Sequence, residues 1–260
     1  MDDSVTAIAH DTLPDDLAPL LAQHDIGGTV LVQATDTVAE TDFIMSLAKA
    51  SSFVKGVVGW VDLIDPNAPT TLERLVQSHH FKGVRPMLQN IKDTNWILQP
   101  AVMANLAAIA ERGLRLDALI LPRHLDVTAQ VAQALPNLPI VIDHCAKPVI
   151  ASGADAGDEW REGMARLAAC PNVFCKISGL ANEAGTHWCV VGLQGVVDHV
   201  LAEFGATRLM WGSDWPVLNL VGSYATWRDA SAQLLSGLST SQQTAVYGQT
   251  AIEFYGLEIE

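Results

Sequence analysis

The chain has 260 residues, enough to bury a full core in one large domain or two small ones. With 49% hydrophobic and 17% charged residues it reads as globular, which excludes a disordered chain, and its apolar runs are too short for a membrane span. Lys and Arg number 15 against 29 Asp and Glu, a formal charge of −14, which argues against nucleic acid and membrane partners and leaves a small-molecule substrate.

In chain order the pattern alternates helices with short β-branched runs. A helix is expected over Asp15–His24 and a strand over Gly28–Ala34, with Gln33 near its end. The helix Ala39–Ala50 leads to a strand over Val54–Leu63 that carries Trp60. The helix Thr70–His80 leads to a strand over Lys82–Leu88 that carries Arg85. The helix Ala101–Arg112 precedes a strand over Leu114–Leu121, and the helix Leu125–Leu135 precedes a strand over Pro139–Cys145 that delivers His144, with Lys147 just past it. The helix Asp158–Cys170 is followed by a strand over Val173–Gly179, which holds Lys176 and Ser178 on one face, and then by a long loop around His187. The helix Leu193–Phe204 precedes a strand over Leu209–Ser213, which delivers Asp214, Trp215 and Pro216. Helices over Tyr224–Leu235 and Ser241–Tyr255 finish the chain.

Strand and helix repeating roughly every 30 residues predict a parallel sheet built from βαβ units. A doubly wound sheet usually carries a glycine fingerprint after its first strand, and neither G-x-G-x-x-G nor a P-loop occurs here. A (β/α)₈ barrel remains, which needs eight strands where seven are visible. The fold class is therefore α/β, of (β/α)₈ TIM-barrel type, lacking its first β-strand. No Gly-Pro-Ser linker divides the chain, so residues 1–260 are read as one domain.

In a parallel barrel the active site lies where the strands end. Asp214 follows Leu-Met-Trp-Gly-Ser at the last strand, as a general base or metal ligand would, although an N-cap or Asx turn would use the same residue. His144 ends the buried run Ile140–Ile142 and can ligate a metal or polarise a carbonyl; a core histidine bonded to backbone is the plain alternative. Asp143 should point the other way, between strands and helices, in a structural role. Arg85 can grip a carboxylate or hydroxyl, or close the barrel rim as a salt bridge. His124 is more often a surface or capping group. The four cysteines form no CxxC pair and read as buried free thiols in a reducing compartment. No signal peptide is visible between Met1 and Asp16, so the expected location is cytoplasmic. Neither a G-x-S-x-G elbow nor an H-E-x-x-H motif is present.

Four segments occur in order: Gly83-Val-Arg85, Ile142-Asp-His-Cys-Ala-Lys-Pro148, Cys175-Lys-Ile-Ser-Gly-Leu180 and Trp211-Gly-Ser-Asp-Trp-Pro216. Together they resemble the amidohydrolase-related TIM-barrel hydrolases, a family that includes sugar-acid lactonases (fuconolactonase, rhamnonolactonase) and the pyrone-dicarboxylate and sulfomuconolactone hydrolases. Thr29–Ala34 and Ala251–Leu257 fit the same pattern, so the resemblance runs from about Leu13 to Leu257. It implies Asp214 as base or metal ligand, His144 as metal ligand or carbonyl polariser, and Arg85 as a substrate contact. Gln33, Trp60, Lys147 and Trp215 are the further residues expected to contact substrate. It also implies a divalent metal, zinc first, held by His144 and Asp214 in some members, while others hydrolyse lactones without one. The family begins on a strand carrying His-x-His. This chain has none, so relative to the family it is shortened at its N-terminus. Such an open barrel is expected to expose two sheet edges.

The activity implied is hydrolysis of a sugar-acid or related carboxylated lactone. Two other readings stay open: a catalytically impaired barrel, binding small acids or arising from a truncated gene product, and a decarboxylase on the same scaffold. The oligomeric state is not legible.

Overall fold

A computed structural model describes residues 7–259. Seven strands form one sheet: β1 Thr29–Val32, β2 Val54–Gly59, β3 Phe81–Val84, β4 Arg115–Ala118, β5 Ile140–Ile142, β6 Val173–Ile177 and β7 Leu209–Trp211. Their spatial order equals their chain order, and every neighbouring pair is parallel. The sheet curls into an incomplete barrel, and among the described residues no eighth strand joins β7 to β1.

Alternation along each strand sorts side chains into two cores. Ile140, Ile142, Val173, Cys175, Ile177 and Leu209 point outward into the large core beneath the helices. Val58, Val141 and Met210 point inward, joined by Val30, Val32 and Phe174. They come from two separated parts of the sheet, β1–β2 and β5–β7, so they can meet only on the concave side. Phe254 and Tyr255 enter the same inner cluster. Lys82 Nζ donates to the Gly256 carbonyl at 2.9 Å and Arg115 Nε donates to the Phe254 carbonyl, so the C-terminal segment is tied to the barrel by its backbone as well as its rings.

The outer layer consists of α1 Pro14–Gln23, α2 Val38–Ala50, α3 Ala68–Leu75, α4 Pro100–Glu111, α5 Leu125–Ala134, α6 Asp158–Ala168, α7 Leu180–Ala184, α8 Val190–Phe204 and α9 Tyr224–Leu234. Their starts follow local chemistry: Pro14 and Pro100 occupy first turns, where a missing N–H costs nothing, and Thr37 and Ser223 cap α2 and α9 through their side chains. Helix α1 bridges the break in the barrel. Leu17 and Leu21 pack with Ile26 and Phe53 on the β1–β2 side and with Trp211, Trp215 and Tyr224 on the β7 side. The edges expected to lie bare therefore share a helix.

Most expected strands shorten by several residues, because the chain leaves the ladder as it reaches the barrel mouth. The helix expected over Thr70–His80 ends at Leu75, and turns closed by Ser78 and Phe81 bring the chain into β3. The last expected helix divides into α10 Thr240–Thr244, a π-helical turn Ala245–Gln249 against β7, and α11 Thr250–Tyr255. The loop around His187 opens with α7, which sequence periodicity did not show because it is five residues long. Cys145, Cys170 and Cys175 are buried, but Cys189, at the start of α8, is exposed.

Candidate active site

At the mouth of the barrel the backbone leaves ordinary conformations. After β5, His144, Cys145, Ala146 and Lys147 all have φ between 51° and 59°, and Asp214 after β7 has φ 55°. Left-handed conformation costs an L-residue about 1–2 kcal/mol, and such residues gather where a side chain must be aimed. The β5 turn is held by the Trp160 indole, which donates to the Cys145 carbonyl at 2.9 Å, and by the Lys147 amide, which donates to the His144 carbonyl at 2.8 Å. The β7 turn is held by the Trp227 indole on the Gly212 carbonyl at 2.9 Å and the Leu218 amide on the Asp214 carbonyl at 2.9 Å.

These turns bring His144 and Asp214 together, with Nε2 3.6 Å from Oδ1. The other ring nitrogen, Nδ1, lies 2.8 Å from the hydroxyl of Ser178, which is 2% exposed. Gly179 makes the ring's position possible. A Cβ there would stand 2.6 Å from Cγ and Nδ1 of His144, and its φ of 66° suits glycine. Among the described residues the Asp214 carboxylate accepts no hydrogen bond from a helix start, so the capping alternative is not what the geometry shows. His144 makes its ring contacts to side chains rather than to backbone.

A second group of charges lies deeper, inside the barrel. Lys176 Nζ is 2.5 Å from Asp117 Oδ2 and 2.7 Å from Asp143 Oδ1. Arg85 Nη1 is 3.1 Å from the other oxygen of Asp143, and the Tyr255 hydroxyl donates to Asp117 Oδ2 at 2.7 Å. Burial raises the carboxyl pKa of Asp143, but the cations of Lys176 and Arg85 outweigh it and hold the group well below the usual carboxylate range. Burial lowers that of Lys176, but Asp117 and Asp143 outweigh it and keep the ammonium charged. For Asp117 burial prevails over the attraction of Lys176, and its pKa is raised. The Tyr255 phenol is pushed up by burial and by Asp117.

Each expected site residue has a definite place, and those of Asp143 and His124 differ from expectation. Asp143 does not point out between strands and helices: it keeps the inward phase of Val141, and its carboxylate meets Lys176 and Arg85 inside the barrel. Arg85 gives its guanidinium to Asp143 and the Gln33 carbonyl, an ion pair inside the barrel. Gln33 is fully buried and donates from Nε2 to the Arg85 carbonyl at 2.7 Å, so it faces protein. Trp60 is half-buried, its backbone closed on the Thr41 hydroxyl, and Trp215 packs with the α1 cluster. Lys147 pairs with Glu183 at 3.0 Å. His124 caps its own turn by accepting from the Leu121 amide at 3.1 Å, and is buried rather than at the surface. The strand-end reading found His144 and Asp214 but passed over the structural use of Ser178, Gly179 and Glu183. For Ser178 and Gly179 the signal is the Lys176-x-Ser-Gly segment at the end of β6; Glu183 carries none.

His144 and Asp214 could serve as two ligands of a divalent ion. Among the described residues no group of three or more His, Cys, Asp and Glu side chains converges, so the residues present do not complete a zinc site, for which three protein ligands are usual.

The family model for amidohydrolases matches residues 6–257. The chain is 41% identical to L-fucono-1,5-lactonase of Burkholderia ambifaria, over 98% of this chain and 89% of that protein. It is 35% identical to L-fucono-1,5-lactonase of Burkholderia multivorans, over 96% and 88%. An amidohydrolase from Burkholderia multivorans, solved with bound zinc, superposes with a TM-score of 0.93 at 31% identity, over 98% of this chain and 92% of that one.

Proposed function

The chain belongs to the amidohydrolase family, and we propose that it opens the lactone ring of a sugar acid by attack of water, with Asp214 as general base and His144 as the group that polarises the carbonyl. The observation that carries this reading is the facing pair of His144 Nε2 and Asp214 Oδ1, aimed by left-handed turns and 3.6 Å apart, in a chain similar to lactonases throughout its length. At 3.6 Å the two groups are too far apart to satisfy each other fully, so both are available to a third molecule.

Asp214 takes a proton from water as the water oxygen bonds to the carbonyl carbon. The carbonyl oxygen gains negative charge and is met by the Nε2–H of His144. The Asp214 carboxylate beside Nε2 favours the proton on that nitrogen, and the Ser178 hydroxyl then donates to Nδ1, so Ser178 is a positioning residue that supports this tautomer. Collapse of the intermediate breaks the ring C–O bond, and the leaving alkoxide recovers the proton from Asp214. The product acid ionises, so each turnover releases one proton to solvent. Every step uses the chain's own groups; His144 and Asp214 are also the residues that a divalent ion would meet first.

The test is proton release from a panel of sugar-acid 1,5-lactones, with and without added zinc, with identification of the product. Ring-opened hydroxy acid supports the reading. Carbon dioxide release from a carboxylated aromatic acid, or tight binding of sugar acids without turnover, would replace it with the decarboxylase or the impaired barrel.

A further inference from the structure

A cavity of about 480 Å³ opens beside the His144 turn, with Leu121, Val149, Lys147 and Glu183 among its walls. It is joined to the site by two short backbone links. The Lys147 amide donates to the His144 carbonyl, which places Lys147 one turn past the histidine. The Glu183 amide donates to the Gly179 carbonyl, and Gly179 is the residue against the His144 ring. One charged wall therefore comes from the loop after β5 and the other from α7, each a single turn from the imidazole.

Lys147 Nζ lies 3.0 Å from Glu183 Oε1, with both side chains between a fifth and a quarter exposed. Among the described residues this is the one hydrogen bond that either side chain makes, so two ammonium protons and the second carboxylate oxygen have no protein partner, and both residues line the cavity. A partly solvated ion pair contributes little stability by itself. As a recognition element it is specific: a cation and a carboxylate side by side can donate to one hydroxyl and accept from its neighbour. The cavity also has apolar lining that suits the carbon edge of a ring, since Leu121 is apolar and Val149 is 69% exposed, an aliphatic surface left to water.

We propose that Lys147 and Glu183 form a subsite for two adjacent hydroxyls of the substrate, with Val149 against the ring's apolar edge, so that the enzyme prefers polyhydroxylated lactones to plain ones. The proposal rests on the lactone reading of the His144–Asp214 site. The test compares a sugar-acid 1,5-lactone with δ-valerolactone, which has the same ring without hydroxyls, in wild type, Glu183→Gln and Lys147→Met. Each variant should lower the ratio of kcat/KM between the two substrates by about tenfold or more, through KM of the sugar lactone. A pair that only ties the β5 loop to α7 would lower both substrates alike, and that result overturns the subsite. Calorimetric titration with the two corresponding lactams, which are not turned over, keeps the two readings distinguishable. Wild type that opens no lactone yet binds the hydroxylated lactam more tightly than δ-valerolactam, with the preference lost in Glu183→Gln, retains the subsite and rejects the hydrolase reading. Equal binding of the two lactams by wild type rejects the subsite.

Discussion

Two clusters in this barrel place acids beside cations or a histidine, and they use them in opposite ways. In the interior, Asp117, Asp143, Lys176 and Arg85 form a balanced set of two negative and two positive charges, with Tyr255 closing it from the C-terminal segment. Both carboxylates are essentially without solvent contact. At the mouth, Asp214 and His144 are 18% and 11% exposed in their side chains and stand 3.6 Å apart. The contrast supports Asp214, rather than Asp143, as the proposed base. Asp143 lies next to His144 in sequence, but its oxygens are committed to Lys176 and Arg85 and its pKa is held low, so it has no reach toward a water in the mouth. Asp214 has a reachable lone pair and no competing cation bonded to it.

Exchanging the losses between the two clusters is the sharpest way to break this contrast. Lys176→Met removes the cation shared by two buried carboxylates, and the uncompensated charge should cost about 3–5 kcal/mol of stability in a denaturant melt. Asp214→Asn keeps the shape and places at φ 55° a residue that tolerates the left-handed region. It should melt within about 0.5 kcal/mol of wild type while kcat falls on the order of 10²–10⁴-fold. If Asp214→Asn unfolds the protein, or Lys176→Met leaves stability intact, the division between structural and reacting acids is wrong.

The same contrast explains what was legible in the sequence. Strand order and the mouth position of Asp214 and His144 follow from period-two burial and from strand ends, which a linear pattern encodes. The facing of Asp143 is misjudged when His144 is read as the inward residue: Asp143 keeps the inward phase of Val141, and His144 reaches the mouth only through the left-handed turn that ends the ladder. Arg85 and Gln33 looked like substrate contacts because they are polar residues at strand mouths. Which partner they meet depends on Asp143 and on each other's backbone, and no local signal carries that. Tyr255 sits 138 positions from Asp117, and its hydroxyl could be placed only by the closed barrel. The β1–β7 break was readable as a missing strand and the helix over Asp15–His24 was readable as a helix, but that it bridges the break was not, since its apolar face looks like any other.

Tyr255→Phe tests how far the interior cluster depends on its C-terminal member. The ring still fills the inner core, and only the hydrogen bond to an ionised carboxylate is lost, so the expected cost is about 1.5–3 kcal/mol with kcat little changed. The pH dependence of stability gives a companion measurement. Asp143 has a depressed pKa, so its contribution is in place above the ordinary carboxylate value and is lost as pH falls through the native one. Lys176 has a raised pKa, so its contribution is in place below the ordinary lysine value and fades only as pH rises through the higher native one. Asp117, with a raised pKa, runs the other way, and its protonation in acid relieves a cost. The Asp143 contribution should therefore be lost below about pH 4 while protonation of Asp117 works against that loss, so wild type should weaken in acid less than Asp143 alone would dictate. Lys176→Met should instead gain stability on going from pH 7 toward pH 5, as buried carboxylates without their cation take up protons.

The smallest expected effect lies at the boundary between the clusters, where Ser178 follows Lys176 on β6 but bonds to His144 rather than to the interior charges. With the hydroxyl donating to Nδ1, the ring proton is on Nε2, facing the substrate side. In Ser178→Ala, Nδ1 loses that partner and the tautomer protonated at Nδ1 becomes populated, leaving Nε2 without a proton for the carbonyl. The expected loss is about tenfold in kcat with KM nearly unchanged, roughly the value of one orienting hydrogen bond. Ser178→Thr keeps the hydroxyl and should recover most of the rate. A purely structural serine would lower stability and leave the ring alone, so the deciding measurement is the ¹⁵N shift of His144. A change of tautomer in Ser178→Ala, reversed in Ser178→Thr, ties Ser178 to the mouth. An unchanged tautomer with wild-type kcat would return it to the interior framework, and the proton on Nε2 would then rest on Asp214 alone.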